Sequence, residues 1–362
     1  MLESIQFAVW QGSNHVAQKA SYALDRNLAK PNKVSVLITD ACAARCTMCD
    51  IWKLQAHNEL SIDEWRKTLD ELREWLGPFW LVISGGEPFQ VPYIFEFLAH
   101  CRDIGIRTKL SSNGMFFTER NIERTLEVRP NFLSLSIDTW RKEVHDRHRG
   151  VPLYDKCVTA IETLKARDEQ IVLGVASIIM DETYPDMPET ARWALDDLGV
   201  DRVLFQPLYP TFATDEGMDP DWFIRNPHWP ADADACAAAL EELREMKRLG
   251  RAVWNPDEHL VAMQHYFREP SSHPRPDECM VRYNTMNIGP RGDVNFCYTV
   301  DNEVGNVRQQ HPRDMWRSHL AQTVRDEMRD CKAPCLLNCY RGHSLRDQVA
   351  MFRFFLERQG AS

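Results

Sequence analysis

The chain has 362 residues, 44% of them hydrophobic, and a formal net charge of −10, enough for one large domain and a smaller one. That acidity argues against a nucleic-acid partner, which needs a basic face, and no apolar run approaches the length of a membrane span. Eleven cysteines without a secretion signal read as metal ligands rather than disulfides, because the cytosol keeps thiols reduced.

Taken in chain order, residues 1–33 hold one helical pattern, 16–28, with apolar and basic positions interleaved. An apolar run at 34–38 then leads into Cys42, Cys46 and Cys49. Three thiolates at that spacing suit one cubane iron–sulfur cluster and leave its fourth iron open to a substrate or cofactor. Zinc is the alternative, although zinc ribbons pair C-x2-C with a second pair or with histidines.

From 34 to 207 short β-rich runs alternate with amphipathic stretches, as a parallel α/β fold requires. The expected strands are 34–39, 80–84, 107–111, 132–137, 172–178 and 202–206. The expected helices are 62–76, 93–101, 118–126, 154–166 and 188–198. An open doubly wound sheet would show the same alternation. Each strand ends in polar or glycine-rich residues, and in α/β barrels chemistry gathers at those ends.

The second strand runs into Gly85-Gly86-Glu87-Pro88. Its glycines permit close backbone approach, and Glu87 can accept hydrogen bonds from a ligand ammonium. The third strand ends at Ser112-Asn113-Gly114 and the fourth at Ser136-Ile137-Asp138, followed by His145-Asp146-Arg147-His148-Arg149-Gly150. A helix cap at Asp138 and a solvated charge run over 141–149 is the alternative there. Cys101, Cys157 and Cys236 sit within helical patterns and read as core fillers.

Residues 208–278 are rich in Pro, Trp and acidic side chains and include a helical pattern at 233–249. Aromatic stretches at 209–212 and 221–223 would line a substrate pocket or form a hydrophobic seam. Beyond them come Cys279, a hairpin turning at 287–292, Cys297 at its end, a helix around 312–329, and Cys331, Cys335 and Cys339.

The cysteine loop, the GGEP turn and the fourth-strand stretch resemble the motifs of radical S-adenosylmethionine (SAM) enzymes. The last five cysteines resemble the SPASM and twitch extensions of that family. The resemblance covers 34–207 and 279–340 and implies an α/β fold, a partial (βα)6 TIM barrel with a small C-terminal cluster-binding extension. The implied domains are an N-terminal helical extension at 1–33, the barrel at 34–207 and a substrate-side linker at 208–278. A cluster-binding domain at 279–342 and a C-terminal helix at 343–362 would follow.

The same resemblance implies the cofactors: SAM, a 4Fe–4S cluster on Cys42, Cys46 and Cys49 that binds it, and one auxiliary 4Fe–4S cluster. Gly85, Gly86, Glu87 and Pro88 would hold the SAM amino group, with Asn113 nearby. Ser136 would touch the ribose or carboxylate beside Asp138, and Arg149 would take the carboxylate in a two-pronged fork. Met48 would pack on the adenine, while Ile51 reads as core. Five thiols suit one auxiliary cluster with one left over. Cys279, Cys297 and Cys335 are the expected ligands, with Cys331 or Cys339 as the fourth. The spare thiol of that pair is a candidate hydrogen-atom donor. Zinc is the alternative for this set as well.

The implied reaction is reductive cleavage of SAM to a 5′-deoxyadenosyl radical that takes a hydrogen atom from substrate. Dehydrogenation or epimerisation of a small carbohydrate or aminocyclitol is the expected outcome, since no long leader-binding region precedes the barrel. Maturation of a ribosomal peptide is the alternative, and a metal scaffold without catalysis the reading from another class. The expected partners are that small molecule or peptide and an electron donor such as flavodoxin or ferredoxin, with no nucleic acid and no membrane. The expected location is the cytoplasm.

Overall fold

The computed structural model describes residues 2–168, 170–210, 219, 221–272, 279–298, 302–331 and 335–336. Nine strands form one sheet: β1 (Lys33–Leu37), β2 (Trp80–Ser84), β3 (Arg107–Ser112), β4 (Phe132–Ser136), β5 (Leu173–Ile179), β6 (Arg202–Pro207), β7 (Thr285–Ile288), β8 (Asp293–Asn295) and β9 (Gly305–Asn306). The spatial order is β6-β5-β4-β3-β2-β1-β7-β8-β9. The first six lie side by side in chain order and all pair in parallel. A doubly wound sheet reverses direction at a switch point. This one does not, so the barrel reading holds and the doubly wound alternative falls.

The two faces of the sheet differ. Val34, Val36, Leu81, Ile83, Leu110, Leu133, Leu135, Val175, Val203 and Phe205 are at most 1% exposed and belong to the same core as Trp65, Leu69 and Leu72 of helix Ile62–Leu76. Burying one such side chain contributes roughly 1.5–3 kcal/mol. The alternate residues face the barrel interior. Among them Ser35, Val82, Ser84, Lys109, Ser111, Ser136, Ala176, Ile178, Leu204 and Gln206 are half-buried. The interior is therefore an accessible lumen, with hydroxyls over much of its wall.

Local chemistry explains the element boundaries. Ser61 and Glu64 form a reciprocal capping box at the start of Ile62–Leu76, and Gly77 ends that helix at φ 77. The N-terminal helix spans Leu2–Leu24, longer than the expected 16–28, and stops where Asp25 takes φ 51. The expected helix at 312–329 is two helices, Pro312–Trp316 and His319–Glu327, because Ser318 caps the second by accepting from the Ala321 N–H at 3.0 Å. The stretch 141–149 is not a solvated run. It forms helix Lys142–Arg149, whose Val144, His145, His148 and Arg149 are buried on one face. Helix Asp257–Arg268 has no counterpart in the expected elements.

The C-terminal hairpin extends the barrel rather than standing apart. β7 pairs in parallel with the open edge of β1, Lys33 opposite Thr285, and β8 and β9 continue the sheet antiparallel. Arg308 ties this hairpin to the barrel. Its Nε donates to Glu64 at 2.7 Å and its Nη2 to the carbonyls of Asn58 and Glu59. Arg325 sits fully buried with its guanidinium 4.5 Å from the ring centres of both Phe296 and Trp316. It donates to the carbonyls of Arg282 and Trp316, fastening His319–Glu327 to the hairpin.

Candidate functional site

The loop that follows β1 carries Cys42, Cys46 and Cys49, and three elements hold it. From the end of β2, the Gly86 N–H donates to the Thr39 carbonyl at 2.7 Å and the Glu87 N–H to the Ala41 carbonyl at 2.8 Å. A Cβ on Gly86 would stand 2.0 Å from the Ala41 oxygen, so the contact needs glycine there. From the other side, the loop N–H groups of Arg45 and Thr47 donate to the last carbonyls of Lys142–Arg149, those of Arg149 and His148. Gly150 closes that helix at φ 68, and a Cβ there would meet the Arg45 carbonyl at 2.4 Å. The third support is Asn113 after β3, whose Nδ2 lies 3.6 Å from Cys42 Sγ.

The three cysteines gather with Met48, Met115 and Val151 round buried Ala44 and Leu153. Burial pushes the Cys42 thiol up to about 11 and raises that of Cys49, with the neighbouring Cys46 adding to the cost of ionising both. Such thiols become thiolates when cationic iron compensates them, as cluster binding requires. Three thiols on one clamped loop, with guanidinium and amide donors facing their sulfurs, fit a cubane with one iron left open. Among the described residues no group of three or more His, Cys, Asp or Glu side chains is gathered to hold a single metal ion.

Glu87 departs from expectation. Its carboxylate is fully buried and engaged within the protein, accepting from Ser112 Oγ at 2.8 Å, the Asn113 N–H at 2.7 Å and the Phe89 N–H at 3.0 Å. Burial outweighs those three donors and pushes the carboxyl up to about 7. The side chain is a strut between the ends of β2 and β3, and a ligand ammonium would meet the backbone beside it. Pro88 is buried in the turn that follows, while Gly85 takes φ 115 against the Thr39 carbonyl.

Arg149 departs as well. Its fork is filled from inside: Nε and Nη2 donate to the two Asp138 carboxylate oxygens at 2.7 and 2.6 Å. The remaining Nη1 points at Cys46 Sγ, 4.0 Å away. Burial alone would raise the Asp138 carboxyl, but the Arg149 guanidinium outweighs it and holds it below the usual range. Asp138 is therefore an ion-pair partner rather than a helix cap. Burial lowers neighbouring His145 to about 4, so it is neutral and accepts the Asp138 N–H at Nδ1, 3.2 Å away.

Ser136 lies half-buried on the lumen wall where β4 ends. Ile51 opens a 3-10 turn, Ile51–Lys53, that buries no residue, so the expected core role fails. Cys101, Cys157 and Cys236 are each 0% exposed, as core fillers should be. Trp222, Phe223, Trp229, Tyr266 and Phe267 pack ring against ring at 5.0–6.4 Å, so the aromatic stretch at 221–223 is a seam.

Cys279 precedes the turn into β7 and Cys297 follows β8, and these two antiparallel strands put both at one end of the hairpin. Cys331 ends the turn Met328–Asp330 and Cys335 is buried. Cys339 lies outside the described residues, as do Thr211 and Phe212. Parity places Asp293 and Asn295 on the lumen side of the sheet, and Tyr298 Oη, just past Cys297, donates to Ser35 Oγ of that wall at 2.8 Å.

The floor of the lumen was not foreseen from the motifs. Lys33, Arg107, Lys109 and Arg202 share the inward parity of their strands, and no acidic residue does so on β1–β6. Lys109 Nζ lies 4.9 and 5.4 Å from the ring centres of Trp80 and Trp254. Desolvation and then Lys33 lower its ammonium to about 8.

Residues 36–194 match the family model of the radical SAM superfamily, and 279–340 match that of an iron–sulfur cluster-binding domain, SPASM. An AdoMet-dependent heme synthase of Methanosarcina barkeri is 26% identical over 309 residues, 80% of this chain and 82% of that protein. A PqqA peptide cyclase of Bradyrhizobium diazoefficiens is 24% identical over 296 residues, 78% and 71% of the two chains. The crystal structure of Streptococcus suis SuiB bound to precursor peptide SuiA superposes with a TM-score of 0.67 at 15% identity, over 88% of this chain and 71% of that one. That likeness is one of fold.

Proposed function

Because this chain is a radical SAM enzyme with a SPASM domain after its barrel, we propose that it modifies a ribosomally made peptide. It takes a hydrogen atom from an unactivated C–H bond held in the barrel lumen. The observation that carries the reading is the clamped three-cysteine loop at the carboxyl mouth of an accessible, hydroxyl-lined lumen. Similarity to PqqA peptide cyclases supports a peptide above the carbohydrate or aminocyclitol expected from sequence. Similarity to heme synthases favours a second reading, a tetrapyrrole.

When bound, SAM and the cluster supply the one-electron chemistry that breaks the C–H bond. The chain supplies position. Cys42, Cys46 and Cys49 hold three irons; Gly85 and Gly86 let a ligand approach the backbone; Glu87 fixes the β2 and β3 ends around it. Met48 packs at the edge of the site and Ser136 offers a hydroxyl from the wall. Cys279, Cys297 and Cys335, with Cys331 or Cys339, hold one auxiliary cluster. The remaining thiol of that pair would return a hydrogen atom if the product is an epimer. A flavodoxin or ferredoxin supplies the electron.

Anaerobic reconstitution beside the triple Cys42→Ala, Cys46→Ala, Cys49→Ala variant tests the class. About eight irons in the wild type and about four in the variant are expected, with 5′-deoxyadenosine from the wild type alone. Equal iron in the two would sink the assignment of this loop. Incubation with peptides encoded beside the gene, followed by mass spectrometry, tests the substrate. A loss of two hydrogens, or one deuterium gained from heavy water, is expected. Turnover of a tetrapyrrole with every such peptide unchanged would transfer the assignment to the second reading.

A further inference from the structure

Two hydrogen-bond donors from different strand ends address two different cysteine sulfurs. Asn113, after β3, presents Nδ2 to Cys42 Sγ at 3.6 Å. Arg149, at the end of the helix after β4, presents Nη1 to Cys46 Sγ at 4.0 Å.

Both donors are held from behind. Asn113 Oδ1 accepts the Met115 N–H at 2.9 Å, which fixes its amide with nitrogen toward the sulfur. The Asn113 N–H is itself gripped by Glu87 at 2.7 Å, and its carbonyl accepts the Cys157 thiol at 3.3 Å. Arg149 is gripped by both oxygens of Asp138, which is fully buried and accepts the Ile178 N–H at 3.1 Å. A flexible cation would swing toward water. This one has a single direction left for its third nitrogen.

Donors and positive charge at cluster sulfurs favour the more negative, reduced state and raise its potential. We propose that Asn113 and the Asp138-oriented Arg149 are positioning residues that ease electron uptake by the cluster on Cys42, Cys46 and Cys49. The proposal rests on the assignment of those three cysteines made above. It gives Arg149 a task other than the SAM carboxylate that its motif suggested.

The test is an EPR-monitored redox titration of the reconstituted full-length enzyme without SAM. Subtracting the triple-alanine spectrum removes the auxiliary signal. Asn113→Asp keeps the acceptor for Met115 and replaces the donor by a negative oxygen, so its potential should fall furthest. Arg149→Lys keeps the charge but loses the fork and should fall by less than Arg149→Met. Asp138→Asn should shift the same way through Arg149. Iron content is read on every sample. Iron-replete variants that titrate with the wild type overturn the proposal while leaving the cluster assignment intact. A shift seen in Arg149→Lys with SAM present and absent without it would give the residue to the SAM carboxylate, and overturns it too. Loss of iron from Arg149→Met is met by Asn113→Asp, which breaks no ion pair and alone decides the outcome.

Discussion

At the scale of single residues, Glu87 shows how a carboxylate is kept where water cannot reach it. Three donors converge on it, and burial still raises its pKa to about 7. The folded protein holds that proton to a higher pH than the unfolded chain, so the proton favours folding at low pH. That contribution is lost as pH rises from about 4.5 to about 7, a swing of roughly 3 kcal/mol by linkage. Glu87→Gln should flatten the slope of urea-measured stability across that window. Glu87→Ala leaves the buried Asn113 N–H unmet and should cost about 1–3 kcal/mol at pH 6. A Glu87→Ala protein as stable as wild type would show that the strut carries no weight. Asp138 behaves in the opposite sense, its carboxyl held low by Arg149. Removing one member of such a buried pair typically costs 3–5 kcal/mol, and calorimetry of Asp138→Ala should show a loss of that order.

Among the elements, the strand ends were the most legible part of the chain. Gly85-Gly86 and Asn113 stand out because glycine and asparagine after a β run announce a backbone that must come close or turn. The structure places both against the cysteine loop. Helix Lys142–Arg149 was harder to read, since seven of its eight residues are charged or histidine and the string resembles a surface run. The usable signal was spacing: 144, 145, 148 and 149 recur at helical period, and those four are buried. Asp138 hid its role because its partner lies eleven residues on and the ion pair exists through the fold. The basic lumen floor was hidden for the same reason, each cation coming from a different strand. Gly86→Ala tests the strand-end contact directly. The added methyl would overlap the Ala41 carbonyl, so the loop must move, and reconstituted iron should fall by about half while the fold, read by circular dichroism, persists.

At the scale of the molecule, the SPASM region and the barrel share a sheet. β1 has β2 on one edge and β7 on the other, and Arg291 at the hairpin turn pairs with Asp40 on the way into the cysteine loop. Truncation after residue 278 would bare the edge of β1 that β7 covers and uncover Trp75, on which Trp316 packs. An unpaired edge beside exposed aromatics is an aggregation template. The truncated protein should elute in the void volume or fail to remain soluble, whereas a self-contained barrel would elute as a monomer. No helix among the described residues is long and apolar enough to cross a membrane.

The pairing of Lys33 with Thr285 also sets a clock. Ribosomes add roughly 5–20 residues per second, so the strand that presents the cysteine loop waits on the order of tens of seconds for its second neighbour to be made. Contacts so distant in sequence also form late. All three cysteines of the first loop, and the β2 and helix contacts that clamp it, are complete long before that moment. The thiols proposed for the auxiliary cluster belong to the hairpin and the chain beyond it, and are complete only when synthesis is nearly over. On the proposed assignment, the two iron–sulfur centres are thus staged in time by the topology of one sheet, the SAM-binding one available for loading first.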